Sequence, residues 1–461
     1  MTGPRTVRGR LPLVVALAAL VTVFTATVPL LRDFFDLRVY YGTVHTWVRH
    51  GGRIYDYRVP GTPYGFTYPP FAALALLPLA PMTRTCAIAA SLAVNLAALA
   101  VVLRILAGPG WRRHGWYRWS LALCGLALFE PLRDTVSFGQ VNLLLLALVL
   151  GDCRLLATGR DRWAGAGIGL AAAVKLTPAL FIGLLLLARR GRAAAVAAGV
   201  AVAATGLAAW ADPGASRFYW TRALWDTGRV GRLDYVSNQS LQGVLARLGE
   251  PDRALWAALA LLVLCGWAVR ARRAVAAGDW TAAFALTGAA ACLVSPVTWV
   301  HHLVWLLPCF AVLVRAGRRW LAGTLYAVMC TSVVWLWVDG APGWDGFLGS
   351  NAYTWITLGL LLGLPAGQPP VPRPPLARSA SATAPAASPV RPTTVAARDH
   401  SALSSGAGAV AAATGAEVEE EDREPARSPS SDPTGSTCPA AAKPQSSSAR
   451  ASSYTASPPP S

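Results

Sequence analysis

Charged side chains are scarce in this sequence, at 14% of residues against 54% hydrophobic ones. A water-soluble domain carries about 25% charged residues, so a chain this poor in charge cannot cover its surface in water. The bilayer must be a large part of its solvent. Lysine is almost missing: Lys443 lies near the C-terminus, and Lys175 is the only other. The eight cysteines show no C-x-x-C spacing and sit singly, mostly in apolar stretches, so neither a disulfide framework nor a metal cluster is implied. No repeat of about 20–50 residues is present, which excludes a solenoid or propeller. A cleavable signal peptide is also missing. Arg5, Arg8 and Arg10 precede an apolar run at 11–31 that is too long for a signal core and closes on no small-residue cleavage pattern. That run is a first transmembrane helix with its N-terminus in the cytoplasm.

The net charge is +18, which could suggest a nucleic-acid partner until the charge is located. From Gly367 onward eight Lys/Arg meet eight Asp/Glu, so the C-terminal region is neutral. The excess is arginine in short loops between apolar runs, the positive-inside pattern of a membrane protein. No nucleic acid is implied.

Sorting the apolar runs by flanking arginines predicts an all-α, polytopic membrane protein. Residues 1–10 form a basic cytoplasmic N-terminus and 11–366 a transmembrane domain. From 367 to 461 Pro, Ser, Ala and Thr dominate, which predicts a disordered cytoplasmic tail. Ten crossings and two broken segments are expected. One broken segment is 68–81, interrupted by Pro69, Pro70, Pro78 and Pro81; the other is 164–188, which has arginines at both ends and Lys175 at its middle. Two polar loops, about 32–67 and 211–252, face outside.

The unusual polar residues gather on that outer side. Asp33 and Asp36 follow the first helix; either could be a general base, or both could pair with Arg32 and Arg38 as an interfacial cap. Tyr68-Pro69-Pro70 reads as a rigid turn or as a wall of a substrate site. Lys175, at membrane depth, calls for an anion: Glu130, Asp134 or a substrate phosphate, unless it snorkels to an interface. His301 and His302 end an outer helix; neighbouring helical side chains diverge too far for joint metal ligation, but one could hold a phosphate or move a proton. Gln140 and Asn142, and Asn238 and Gln239, suit sugar hydroxyls and suit helix caps equally well.

Taken in order, these motifs resemble glycosyltransferase family 87. The resemblance rests on Asp36-Leu-x-Val-Tyr40, Gly52-x-x-Tyr55-Asp56, Tyr68-Pro-Pro, Gly139-Gln-x-Asn142, Lys175-x-Thr-Pro178, Ser237-Asn-Gln-Ser240 and Ser295-Pro-x-x-Trp-x-His-His302. It implies a GT-C-type helix bundle at the plasma membrane, with its active site facing outside. The implied activity is an inverting mannosyltransferase that uses polyprenyl-phosphate mannose and a glycolipid or cell-envelope glycan acceptor, with neither metal nor separate cofactor. Asp36 would be the catalytic base. Tyr40, Tyr68, Gln140, Asn142, Lys175, Asn238, Gln239, His301 and His302 would bind substrate. An arabinofuranosyltransferase using the corresponding arabinose donor is the alternative within the family. A lipid-linked-sugar flippase is the alternative of another class; buried charge and broken helices suit it, and the missing inverted repeat speaks against it.

Overall fold

The computed structural model describes residues 7–27, 33–108, 115–249 and 253–366. The expected tail at 367–461 and the first six residues of the basic N-terminus lie outside the described residues. Within them the chain is helical, and one isolated bridge between Arg58 and Gly65 stands in place of any strand.

In chain order the α-helices are α1 (Val7–Thr27), α2 (Phe35–Arg49), α3 (Pro70–Ala75), α4 (Arg84–Ala107), α5 (Trp116–Leu128) and α6 (Glu130–Phe138). They continue with α7 (Asn142–Ala157), α8 (Ala166–Val174), α9 (Leu180–Leu187), α10 (Gly191–Ala211), α11 (Pro213–Thr221) and α12 (Leu241–Leu248). The remainder are α13 (Arg253–Ala276), α14 (Trp280–Val294), α15 (Leu307–Arg315), α16 (Arg319–Cys330), α17 (Gly343–Ser350) and α18 (Ala352–Gly363).

Three of these, α4, α10 and α13, are long and apolar enough to cross a bilayer on their own, and the α6–α7 pair, bent by 117°, could make a fourth. The ten crossings expected from the sequence therefore do not each correspond to one full-length helix. Shorter apolar helices of 10–17 residues occupy several of those runs. On α4, α10 and α13, Leu96, Val202, Leu207, Leu261 and Leu262 point outward, as a lipid-facing surface requires. α14 lies at the centre, nearly every residue buried, packed against α7, α9, α13, α15 and α18.

The segment 164–188 is broken. α8 ends at Val174, Lys175 is extended (φ −148°, ψ 132°), and a 3-10 turn at Thr177–Ala179 leads into α9. Small residues bring α8 close to its neighbours. A side chain at Gly169 would come within 2.3 Å of the Ala197 carbonyl on α10, and one at Gly167 within 2.4 Å of the Leu148 carbonyl on α7. Backbone-to-backbone packing of this kind holds helices together where lipid supplies no hydrophobic drive. Asp152 on α7 accepts the Ile168 N–H at 2.7 Å, satisfying one of the free donors at the start of α8.

Two expected loops contain helices. The stretch 32–67 holds α2, whose buried Leu37, Tyr40, Thr43 and Val44 recur at helical spacing. The stretch 211–252 holds α11 and α12, capped by Asp212, which accepts the Ala215 N–H at 2.8 Å, and by Ser240, which accepts the Gly243 N–H at 3.0 Å.

Candidate active site

The polar cluster begins at the N-terminus of α2. Asp33 and Phe34 both take left-handed backbone conformations, φ 45° and 50°, which cost about 1–3 kcal/mol each for residues other than glycine. The Phe34 N–H donates to the Ser137 carbonyl at 2.9 Å, holding the strained turn against the end of α6. The following residues are thereby directed at the α6–α7 corner. That corner turns on Gly139, at φ 69°, where an added Cβ would sit 2.6 Å from Leu37 Cβ. Only glycine fits there.

The two carboxylates now separate. Asp33 is exposed and pairs with Arg38 at 2.9 Å and Arg84 at 3.5 Å. Asp36 pairs with no basic side chain among the described residues; its Oδ2 accepts from Gln140 Nε2 at 2.7 Å. Burial of the carboxyl pushes the Asp36 pKa up to about 6, against the lowering effect of the Gln140 bond. The residue itself keeps part of its surface open.

Gln140 Oε1 accepts from the hydroxyls of Tyr40 and Tyr68, both at 3.0 Å, and these hydroxyls lie 3.1 Å apart. Burial raises both phenol pKa values further from neutrality, so both remain donors. Tyr68 is steadied from below by Tyr55, whose hydroxyl donates to the Tyr68 carbonyl at 2.8 Å.

Beyond Tyr68 the cluster continues to Lys175. Its Nζ lies 3.3 Å from the Tyr68 hydroxyl, 3.1 Å from Asn142 Oδ1 and 2.8 Å from His302 Nε2. The expected carboxylate partners Glu130 and Asp134 are not within this set. Glu130, fully buried, accepts instead from Trp335 Nε1 and the Tyr353 hydroxyl, because α6 turns it toward α18 rather than toward α8. Asn142 Nδ2 and Thr135 Oγ1 both donate to the His301 carbonyl, at 3.3 and 2.9 Å, tying the 3-10 turn at Val300–Leu306 to α6 and α7. The His301 ring packs on Phe138 and meets the His302 ring edge-on, so the two histidines serve different neighbours.

Asn238 and Gln239 are not part of the cluster. Asn238 accepts the Thr298 N–H at 2.9 Å and donates to the carbonyls of Leu233 and Pro296. Gln239 donates to Val236 and Ser350 and accepts from Thr354. With Ser240, which donates to the Pro296 carbonyl at 3.0 Å, they clamp the 237–240 loop to the 296–300 segment that carries Trp299 and the histidines. Their amide groups are consumed by backbone partners.

Sequence reasoning missed the wall beside this cluster. Tyr64 packs edge-on against Phe35 at 6.3 Å, and a Cβ at Gly231 would meet Trp299 at 3.0 Å and Tyr64 at 4.0 Å. Phe35, Tyr64 and Trp299, each partly exposed, thus gather beside the segments that carry Asp36 and His302, and ring faces suit the apolar face of a sugar. Isolated aromatics in polar loops carry no sequence signal for this. Among the described residues no three His, Cys, Asp or Glu side chains converge as a metal site.

Chemically, the cluster is one half-buried carboxylate linked through an amide and two phenols to a lysine and a histidine. The carboxylate end can accept a proton, and the nitrogen end can hold an anion.

Comparison with known proteins points the same way. The profile of glycosyltransferase family 87 matches residues 66–296. A polyprenol-phosphate-mannose-dependent alpha-(1-2)-phosphatidylinositol mannoside mannosyltransferase of Mycobacterium tuberculosis is 32% identical over 360 residues, which is 71% of this chain and 83% of the relative. Its counterpart in Mycolicibacterium smegmatis is 37% identical over 284 residues, 55% of this chain and 63% of the relative. A polyprenol-phosphate-mannose-dependent alpha-(1-2)-phosphatidylinositol pentamannoside mannosyltransferase, also of Mycolicibacterium smegmatis, is 34% identical over 360 residues, 70% of this chain and 84% of the relative. No solved structure matches.

Proposed function

Because the chain belongs to glycosyltransferase family 87, we propose that it transfers mannose from polyprenyl-phosphate mannose to a mannosylated lipid on the outer face of the membrane. The observation that carries this reading is the linked arrangement of Asp36, Gln140, Tyr68, Lys175 and His302. A base and an anion seat at the two ends of one short hydrogen-bonded chain are what an inverting transfer from a sugar phosphate needs. The activities for which the relatives are named favour mannose over arabinose and an inositol phospholipid mannoside as the first acceptor to try.

In this reading the acceptor hydroxyl attacks the anomeric carbon while Asp36 takes its proton. The bond from that carbon to the phosphate oxygen breaks with its electron pair, and the phosphate leaves with a second negative charge. Lys175 and His302 Nε2 lie where that charge develops and stabilise it. Tyr40, Tyr68 and Gln140 hold Asp36 and line the sugar, and Asn142 holds Lys175. Asn238, Gln239 and His301 act indirectly, by fixing the segment that bears His302. The outward orientation rests on the arginine placement.

The test is sugar transfer by the purified full chain in detergent, with radiolabelled polyprenyl-phosphate mannose and polyprenyl-phosphate arabinose supplied in parallel to a phosphatidylinositol mannoside. Labelled product from the mannose donor alone is expected. Product from the arabinose donor alone would replace the sugar. No product from either, with donor movement across reconstituted vesicles, would replace the enzyme with a flippase.

A further inference from the structure

The hydrogen bonds around Lys175 fit an amine rather than an ammonium. Asn142 donates through Nδ2 to the His301 carbonyl, so its Oδ1, 3.1 Å from Nζ, receives one lysine proton. The Tyr68 hydroxyl donates to Gln140 Oε1 and can receive a second lysine proton at 3.3 Å.

The third contact is decided on the far side of the His302 ring. There Nδ1 lies 3.1 Å from the backbone nitrogen of Trp299, which can only donate. Nδ1 accepts that N–H and is therefore bare, the Val297 carbonyl being only a weaker influence on the ring, and a ring with one bare nitrogen carries its proton on the other. Nε2–H points at Nζ from 2.8 Å, and that contact is a hydrogen bond only if Nζ presents a lone pair. Two protons given and one received is the account of –NH2. An –NH3⁺ group would aim a third proton at the histidine's own.

A second observation agrees. Among the described residues no carboxylate forms an ion pair with Nζ, and Asp36 is reached only through Tyr68 and Gln140. The titratable groups that face Lys175 and His302 are Asp36 on α2, Tyr68 before α3, Cys292 on α14 and His301. Asp36 attracts an ammonium there only from a distance, and burial with no carboxylate in contact outweighs that attraction and disfavours the charged form.

We propose that Lys175 is uncharged in the substrate-free enzyme and takes a proton from water when the anionic phosphate of the donor enters beside it. This rests on reading the cluster as the seat of a phosphate-linked sugar. The amine lone pair gains one proton, the phosphodiester keeps its single negative charge, and the bound pair is neutral. His302 keeps Nε2–H and turns it to a phosphate oxygen. During transfer the acceptor's proton goes to Asp36, and the new ammonium faces the second charge on the leaving phosphate.

The two-lysine composition makes this measurable. The full chain is labelled with lysine carrying ¹⁵N at Nζ and held in detergent at about pH 8, where a lysine of ordinary pKa is fully charged. In the substrate-free protein Lys175 should give an amine signal beside the ammonium signal of Lys443. Short-chain polyprenyl-phosphate mannose should convert it to ammonium, with one proton taken up per donor bound when calorimetry is run in buffers of different ionisation heat. Lys175→Arg, charged throughout, should bind donor with no uptake. An ammonium signal before any ligand is added would overturn the proposal, as would an amine signal that persists with donor bound. Polyprenyl phosphate without sugar separates the two readings. If it binds and protonates Lys175 while the mannosyl donor does not bind, the proposal stands and the mannose assignment falls.

Discussion

At the scale of single residues two neighbouring aspartates, which the family motif alone separates in the sequence, have different partners in the structure. Asp36→Asn keeps shape and removes basicity, so turnover should fall by roughly 10²–10⁴ with protein level unchanged. Asp33, exposed between two arginines, is the control, and Asp33→Asn should lose far less. A dead Asp33→Asn beside an active Asp36→Asn would move the base by nearly one helical turn. The pH profile supplies a second check. A base must be ionised, so with the Asp36 pKa raised to about 6, kcat/KM should fall as pH drops through that value. Gln140→Leu removes the bond that favours the ionised carboxyl, and the acid limb should shift to higher pH. A Gln140→Leu enzyme of lowered activity but unshifted limb would make Gln140 a packing residue only.

At the scale of elements the site depends on two junctions. Gly139→Ala puts a side chain into left-handed backbone and against Leu37, so thermal unfolding should show a loss of about 1–3 kcal/mol, with activity lost alongside. Wild-type melting with normal activity would show that the corner is not strained. How far these junctions could be read beforehand varies. Lys175 stands out because lysine is otherwise missing from the first 366 residues, and its flanking arginines conflict with a continuous helix under the charge rule. Its partners did not stand out. Glu130 has the same charge and a similar place in the sequence, and only the folded chain shows it engaged by Tyr353 on α18, more than two hundred residues away, instead. Asn238 and Gln239 could not be placed from the sequence for a different reason. An amide that recognises a sugar and one that ties two loops have the same donors and acceptors. The helix α2 was hidden because its buried stripe includes Tyr40 and Thr43, which read as polar loop residues.

At the scale of the whole molecule the expectations concern sidedness and the tail. Thr221, exposed at the end of α11, is a fit reporter for the second loop. In a cysteine-free background, Thr221→Cys should react with an impermeant thiol reagent from outside intact cells. Reaction only after permeabilisation would invert the topology. Deleting 367–461 should leave turnover intact, and a truncated protein that inserts normally but is inactive would give the tail a part in the reaction. The site itself draws on segments far apart in the chain. Asp36, Gln140, Lys175 and His302 meet only when contacts that each span 104 to 127 residues of chain have all formed. A donor lodged among them therefore behaves as a reversible cross-link between four distant parts of one chain. Saturating it at about 100 times its Kd would add about 2.7 kcal/mol to the stability of the folded state. The lipid that the protein consumes would then also keep the protein from coming apart, and a cell starved of that lipid would lose the enzyme along with its substrate.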